Sequence, residues 1–269
     1  MKKLLLLFTY LITAATTSLA QCPLENKAFN AGEKLNYQLY FNWQFIWIKA
    51  GTACLDIQET TFREKPAYRA SLITRGSKRT DRFFMMRDTL TGYITHDLMP
   101  LYYRKGALEG KRYYIDEATY TYPNGKTHVS QRFVTHEGEL LTNEWDGIDC
   151  VFDMVSMMMR ARSFDPTDYY EGQHLTFPMA DGCKVREATL IYRGRKKFKM
   201  ESTGITYRCL VFSFVEYKNK KEREVVTFYV TDDLNHMPVR LDMFLRFGTA
   251  KAFLNSHTAL RNPQTSIIK

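Results

Sequence analysis

After its first twenty residues this chain has no apolar run close to the roughly 20 residues that a bilayer-spanning helix requires. The expectation is therefore a mature chain without a transmembrane helix. Cysteine is also sparse. Cys22, Cys54, Cys150, Cys183 and Cys209 are odd in number and widely spaced, so no disulfide framework can be read from them. Cys54 and Cys209 fall inside apolar strand patterns, where a thiol commonly serves as a small buried hydrophobe. One disulfide is compatible with an oxidising compartment, with its partners left open.

The catalytic vocabulary is thin. No Gly-x-Ser-x-Gly elbow and no His-Glu-x-x-His pair occurs, and Arg75-Gly76-Ser77-Lys78 is too short for a phosphate loop. The histidines at 96, 128, 136, 174, 236 and 257 are scattered, without the close spacing of a zinc site. Glycosidases need only two carboxylates. The candidates are Asp146, Asp149 and Asp153, and the pair Asp232-Asp233. A loop with a helix start explains the first group, and a turn between strands explains the second. No catalytic residue, metal or cofactor is implied.

Acidic charge is outnumbered, with 38 Lys and Arg against 29 Asp and Glu, a formal net charge of +9. The excess sits in short clusters at Lys78-Arg79, Arg104 to Arg112, Arg193 to Lys199 and Lys218 to Arg223. Such clusters are commonly solvated loops. The sharper reading is contact with anionic lipid headgroups or acidic glycans. Nucleic acid is a poor partner for an exported chain, and no nucleic-acid motif is present.

Export is what the first twenty residues suggest. Met1-Lys2-Lys3 is a basic head, Leu4 to Ile12 is apolar apart from Thr9, and Ser18-Leu19-Ala20 offers a small-residue cleavage site. A lipobox at Leu19-Ala20-Gln21-Cys22 is the rival. It would want a small residue where Gln21 stands, so lipidation at Cys22 is the lesser expectation. The predicted location is the periplasm or outer-membrane surface. The predicted layout is a signal peptide over 1–20, a β-rich domain over 21–255 and a flexible polar tail over 256–269.

What is abundant is alternation. Leu35, Tyr37, Leu39, Phe41 and Trp43 share one face, with Asn36, Gln38 and Asn42 opposite, the pattern of a half-buried strand. Ala53-x-Leu55-x-Ile57 and Tyr68-x-Ala70-x-Leu72 repeat it. Asn124-Gly125 between Thr119–Tyr122 and Thr127–Phe133 predicts a hairpin, because both residues tolerate positive φ. Asp181-Gly182 predicts another. Aromatic residues make up 14% of the chain, and they favour pleated, half-buried surfaces.

The exception is the stretch 149–163. Val151, Phe152, Met154, Val155, Met158 and Met159 recur at helical spacing, with Asp149 as a possible cap and Arg160 and Arg162 near the end. The fold class expected is mainly β: a large curved antiparallel sheet or partly open barrel with one packed helix. Arg87-Asp88, entering a strand after an apolar run, should point to opposite faces. Arg87, Asp88 and Arg160 are candidates for structural ion pairing.

Several segments together carry a resemblance. These are Gly32-Glu33-Lys34-Leu35-Asn36-Tyr37, the Gly51-Thr52-Ala53 strand, Arg87-Asp88 with Tyr93 and Leu98-Met99-Pro100-Leu101, and the helix with Asp149, Ser156 and Arg160. Gly204-Ile205-Thr206-Tyr207-Arg208-Cys209 and Thr231-Asp232-Asp233 with Met237-Pro238-Val239 complete the series. Over roughly residues 29–254 the chain resembles the domain-of-unknown-function 3108 family. The resemblance implies an exported, β-rich envelope protein without an assigned activity, and it supplies no catalytic residues.

The function these observations favour is a non-enzymatic binding or carrier module for an apolar or amphipathic ligand. A bent sheet leaves a concave face that aromatic and Met side chains can line. Tyr37, Trp43, Trp47, Phe83, Phe84, Met154 and Met158 are the candidate lining residues. Two alternatives remain: a structural or assembly role in the cell envelope, and glycan binding or hydrolysis with Trp43 and Trp47 stacking on sugar rings. The partner is thus a lipid, a glycan or another envelope protein.

Overall fold

Side-chain alternation becomes one antiparallel sheet in the computed structural model, which describes residues 22–43, 46–218, 221–245 and 248–268. The expected signal peptide lies outside the described residues, as does the side chain of Trp43. The first half is an up-and-down meander of eight strands: β1 (Lys34–Trp43), β2 (Ile46–Phe62), β3 (Lys65–Gly76), β4 (Met86–Ile94), β5 (Pro100–Glu109), β6 (Arg112–Thr121), β7 (Thr127–Val134) and β8 (Leu140–Gly147). Helix α1 (Met154–Ala161) follows. A second meander comprises β9 (His174–Asp181), β10 (Lys184–Lys199), β11 (Thr206–Lys218), β12 (Lys221–Thr231), β13 (Pro238–Leu245) and β14 (Gly248–Thr258), with the short β15 (Ile267–Ile268) beside β11.

Because β1 pairs with β14, the spatial order is β8-β7-β6-β5-β4-β3-β2-β1-β14-β13-β12-β11-β10-β9. The two long edges, β8 and β9, are neighbours in sequence through α1. The sheet curls until these edges approach. The Phe152 N–H donates to the Pro178 carbonyl at 3.0 Å, and the Ala180 N–H donates to the Phe152 carbonyl at 2.8 Å. The Gly182 N–H donates to Asp116 Oδ2 at 2.9 Å, and Gln131 Nε2 donates to the Lys184 carbonyl at 3.3 Å. The β9–β10 hairpin thus leans on β6 and β7, which gives the sheet its barrel-like shape.

Turn chemistry fixes the register where the sequence suggested it. Asn124 and Gly125 both take positive φ, at 54° and 75°, between β6 and β7. Gly182 and Cys183 do the same, at 55° and 58°, between β9 and β10. Arg63 and Glu64, at 47° and 67°, make the equivalent turn between β2 and β3 with no glycine to announce it.

The helix is shorter than the 149–163 pattern suggested, and Asp149 does not cap it. Asp153 does: its Oδ1 accepts from the Val155 and Ser156 N–H groups at 2.9 and 2.8 Å, and Ser156 Oγ accepts from the Asp153 N–H at 2.9 Å. The displacement has a physical cause. Cys150 is tied to Cys22 by a disulfide with Cα atoms 5.3 Å apart, and Phe152 is bridged to Met179, so 150–152 is held extended.

On the concave side α1 packs against β3 and β4. A Cβ at Gly92 of β4 would lie 2.8 Å from Val155 Cγ1, so only glycine lets the helix sit this close. Val155 and Met159 are fully buried with Phe29, Leu35, Leu55 and Ile57. The helix therefore fills the concavity instead of roofing an empty one.

Two further links hold the N-terminal segment and the C-terminal stretch. Glu33 and Arg162 form a bidentate ion pair with side chains 0% and 2% exposed. The stretch after β14, expected to be a flexible tail, is held to the domain. Arg261 Nη1 donates to the Asn26 carbonyl at 2.8 Å, the Asn262 N–H donates to Asn235 Oδ1 at 2.9 Å, and β15 joins β11. Polar side chains here satisfy backbone groups of the domain, which polarity alone does not reveal.

Candidate functional site

An opening of about 530 Å³ lies between α1 and β9. Its wall comes from Phe152, Met157, Phe164, Leu175 and Phe177, whose apolar side chains continue into a small second core with Ala188 and Leu190. Two local patterns build it. The one-in-two alternation of β9 turns Leu175 and Phe177 toward the helix. The helical period turns Met157, which is 6% exposed, toward β9. Phe152 and Phe177 meet edge to face at 6.4 Å between ring centroids.

One cation borders this apolar wall. The Arg160 guanidinium lies 5.0 Å from the Phe152 ring centroid, and its Nη1 donates to the Cys22 carbonyl. Burial lowers the Arg160 pKa from its ordinary value, the signature of a charge partly withdrawn from water. Asp149 and His174 border the same opening.

Of the residues proposed from sequence as ligand-lining, none that the structure describes borders this opening. Tyr37 belongs to the core, and its hydroxyl donates to the Pro238 carbonyl at 2.9 Å. Trp47 is exposed, with Lys251 Nζ 4.6 Å above its ring. Phe83 and Phe84 are exposed in the connection between β3 and β4. Met154 is exposed, and Met158 packs on the main core, so it is Met157 that faces the cleft. The alternation in β1 reported burial but not what lies opposite. The concave face that Tyr37 was expected to line is occupied by the chain's own helix.

Arg87 and Asp88 do point to opposite sides. Arg87 Nη1 donates to Asp81 Oδ1 at 2.9 Å. Asp88 has no ion pair among the described residues, and its Oδ1 is buried without a hydrogen-bond partner. Burial, with Glu109 nearby, pushes the Asp88 pKa up to about 6. Burial pushes Asp116 and Asp153 to about 6 as well. Four of the carboxylates weighed for glycoside chemistry have structural partners: Asp146 Oδ1 meets His128 Nδ1 at 2.8 Å, Asp153 caps α1, Asp232 Oδ2 accepts from Arg195 Nε at 3.3 Å, and Asp233 Oδ1 accepts from Thr231 Oγ1 at 2.9 Å. Burial also raises the pKa of the Cys54 and Cys183 thiols, and pushes Cys209 to about 12, away from the nucleophilic thiolate. Among the described residues no group of three or more His, Cys, Asp or Glu could hold a metal ion, and no helix is long and apolar enough to cross a membrane.

Sequence reasoning missed the pair that joins the most distant motifs. Arg162 closes α1, pairs with Glu33, and donates Nε and Nη2 to the Asn235 carbonyl at 3.1 Å each. His236 Nδ1 reaches the Arg162 carbonyl at 2.6 Å. The available signal was a charged residue beside apolar positions at two places, Glu33 and the end of the helix; the Asn235 backbone carbonyl left none. The family model DUF3108, a protein of unknown function, matches residues 36–255. This chain belongs to the DUF3108 family.

No curated protein matches the DUF3108 chain. Among solved structures it is similar to a β-barrel-like protein of domain of unknown function DUF1849 from Brucella abortus. That likeness has 10% identity and a TM-score of 0.55, over 87% of this chain and 100% of the other. A Bacteroides fragilis protein inferred to be exported, with a YmcC-like fold, aligns at 7% identity and a TM-score of 0.32, over 87% of this chain and 99% of that one. The first likeness supports the barrel-like fold, and the second is too distant to carry an argument.

Proposed function

We propose that this DUF3108 chain is a non-enzymatic binding module of the cell envelope, taking an amphipathic ligand in the cleft between α1 and β9. The observation that carries the reading is an apolar wall of five large side chains bordered by a single half-buried guanidinium. An acyl or similarly apolar body would cover Phe164, Leu175 and Phe177, gaining about 0.8 kcal/mol for each buried methylene. An acidic head would meet Arg160. The interior of the sheet is not the binding volume, because α1 and Phe29 fill it. Export is part of the reading. The leader pattern supports it, and so does a disulfide between Cys22 and Cys150, a bond that persists in oxidising compartments. That bond occupies the sulfur that lipidation would need.

Titration with a dansyl-labelled long-chain fatty acid tests the cleft. The expected result is saturable binding, weakened at least about tenfold by Leu175→Glu and selectively for the acid over the corresponding alcohol by Arg160→Gln. Failure to take up either probe, or uptake indifferent to both substitutions, would sink the reading.

A further inference from the structure

A second feature lies at one end of the sheet, away from the cleft. In an antiparallel meander alternate connections fall at the same end. The register places the adjoining ends of β1 and β2, β3 and β4, β5 and β6, β7 and β8, β9 and β10, β11 and β12, and β13 and β14 all at one rim. Neighbouring tips touch. The Gly110 N–H donates to the Met85 carbonyl at 2.7 Å, and a methyl on Gly110 would lie 3.3 Å from the Phe84 ring. Cys183 Sγ reaches the Leu141 carbonyl at 3.3 Å, linking the β9–β10 tip to the β7–β8 tip.

This rim gathers most of the exposed large apolar side chains. Among the described residues only Ile148, Met154, Tyr170 and Leu234 of that set lie elsewhere. Trp47, Phe83, Phe84, Tyr113, Tyr217 and Leu245 mark successive tips, and Phe83 is 88% exposed. The opposite end is mostly polar. Its turns are Arg63-Glu64, Thr95–Asp97, Asn124-Gly125, Glu201–Gly204 and Asp232–His236, and its exposed large apolar side chains among the described residues include Leu234 in the last of these and Ile148 just after β8.

The apolar tips carry basic flanks. Lys78, Arg79, Arg82, Lys111, Arg112 and Lys221 are exposed at the same rim, so three of the four basic clusters of the sequence converge there. Acidic neighbours are partly neutralised, Asp81 by Arg87 and Glu222 by Arg193. The acidic exceptions are Glu137 and Glu139 of the β7–β8 turn, Glu109 beside the β5–β6 turn and Asp181 beside the β9–β10 turn. Aromatic rings interleaved with Lys and Arg suit the boundary between lipid headgroups and acyl chains, where rings embed and long cationic stems reach phosphates. A protein-binding core would be contiguous and depleted of lysine.

We propose that this rim of hairpin tips seats the protein on an anionic lipid surface. Trp47, Phe83, Phe84 and Tyr113 enter the headgroup layer, and Lys78, Arg79, Arg82 and Lys111 meet its phosphates. The inference does not depend on what the cleft holds.

Flotation of the leaderless chain with vesicles tests it. Binding is expected to vesicles of equal parts phosphatidylglycerol and phosphatidylcholine, not to phosphatidylcholine alone, and should weaken as salt rises. One Lys or Arg at such a surface is worth about a fivefold change in partitioning, so Arg79→Glu with Arg82→Glu should lower it more than tenfold. Phe83→Ser with Phe84→Ser should reduce binding without removing its salt dependence. Lys196→Glu with Lys197→Glu, on β10 toward the other end, should leave it unchanged. Brominated lipid should quench the tryptophan emission of the unsubstituted chain, a readout that needs no variant. Binding indifferent to lipid charge, or lost equally in the β10 variant, would overturn the proposal. So would retention on a soluble acidic polysaccharide without vesicle binding, which would assign the rim to a glycan.

Discussion

Arg162 and Glu33 meet face to face as a buried bidentate pair across 129 residues of sequence. Removing one partner leaves an uncompensated charge in the interior, which costs about 3–5 kcal/mol. Glu33→Leu and Arg162→Met should each lower the urea midpoint sharply. The double variant should lose less than the sum of the two. Equal additivity would mean that the carboxylate and guanidinium act through other partners, such as the Asn235 carbonyl.

The disulfide makes a covalent prediction. Non-reducing peptide mapping of the purified chain should recover Cys22 joined to Cys150, with Cys54, Cys183 and Cys209 free. Closing so long a loop should contribute roughly 4–5 kcal/mol in the chain-entropy account, and Cys22→Ser with Cys150→Ser should fall short by an amount of that order. A lipid thioether found on Cys22 would contradict the bond.

Gly92 offers a steric test. Gly92→Ala places a methyl against Val155 and should cost about 1–3 kcal/mol by overpacking. Adding Val155→Ala should restore part of the loss. If Gly92→Ala were neutral in urea unfolding, the helix would not be seated on β4 as described.

Asp88 predicts a pH dependence. Its pKa rises from an ordinary 3.8 to about 6 on folding, so the folded state holds the proton more tightly than the unfolded one. Stability from this group is full below about pH 4 and falls as pH climbs through about 6. Asp88→Asn should therefore raise the urea midpoint at pH 7 and change it little at pH 4. An unchanged midpoint at pH 7 would show that the ionised carboxylate is well solvated.

Much of the sheet was legible because its information is local. Leu35, Tyr37 and Leu39 alternate inward as their spacing suggested, and Asn124-Gly125 made its hairpin because few other pairs accept two positive φ angles. The Arg63-Glu64 turn was not legible, since neither residue favours that conformation and the strand pairing imposes it. Pairings over long separations were hidden for a different reason. Nothing near Cys22 points to Cys150, and nothing near Glu33 points to Arg162. Only the closing of β1 on β14 and of β8 toward β9 brings them together. The described candidate ligand residues lie away from the cleft because hydrophobicity marks a side chain as wanting burial or an interface without saying which. Tyr37 found the core, and Phe83 found the rim.

The placement of β1 beside β14 bears on how the chain is made. Synthesised from its amino end, the polypeptide must keep its earliest strand half-partnered until almost the last one has emerged, a long-range closure that slows folding. Severing the chain near α1 and splicing β14 to β1 would give every ribbon its immediate successor as companion. That rearranged molecule should reach the same architecture sooner, with its two seams relocated to its ends.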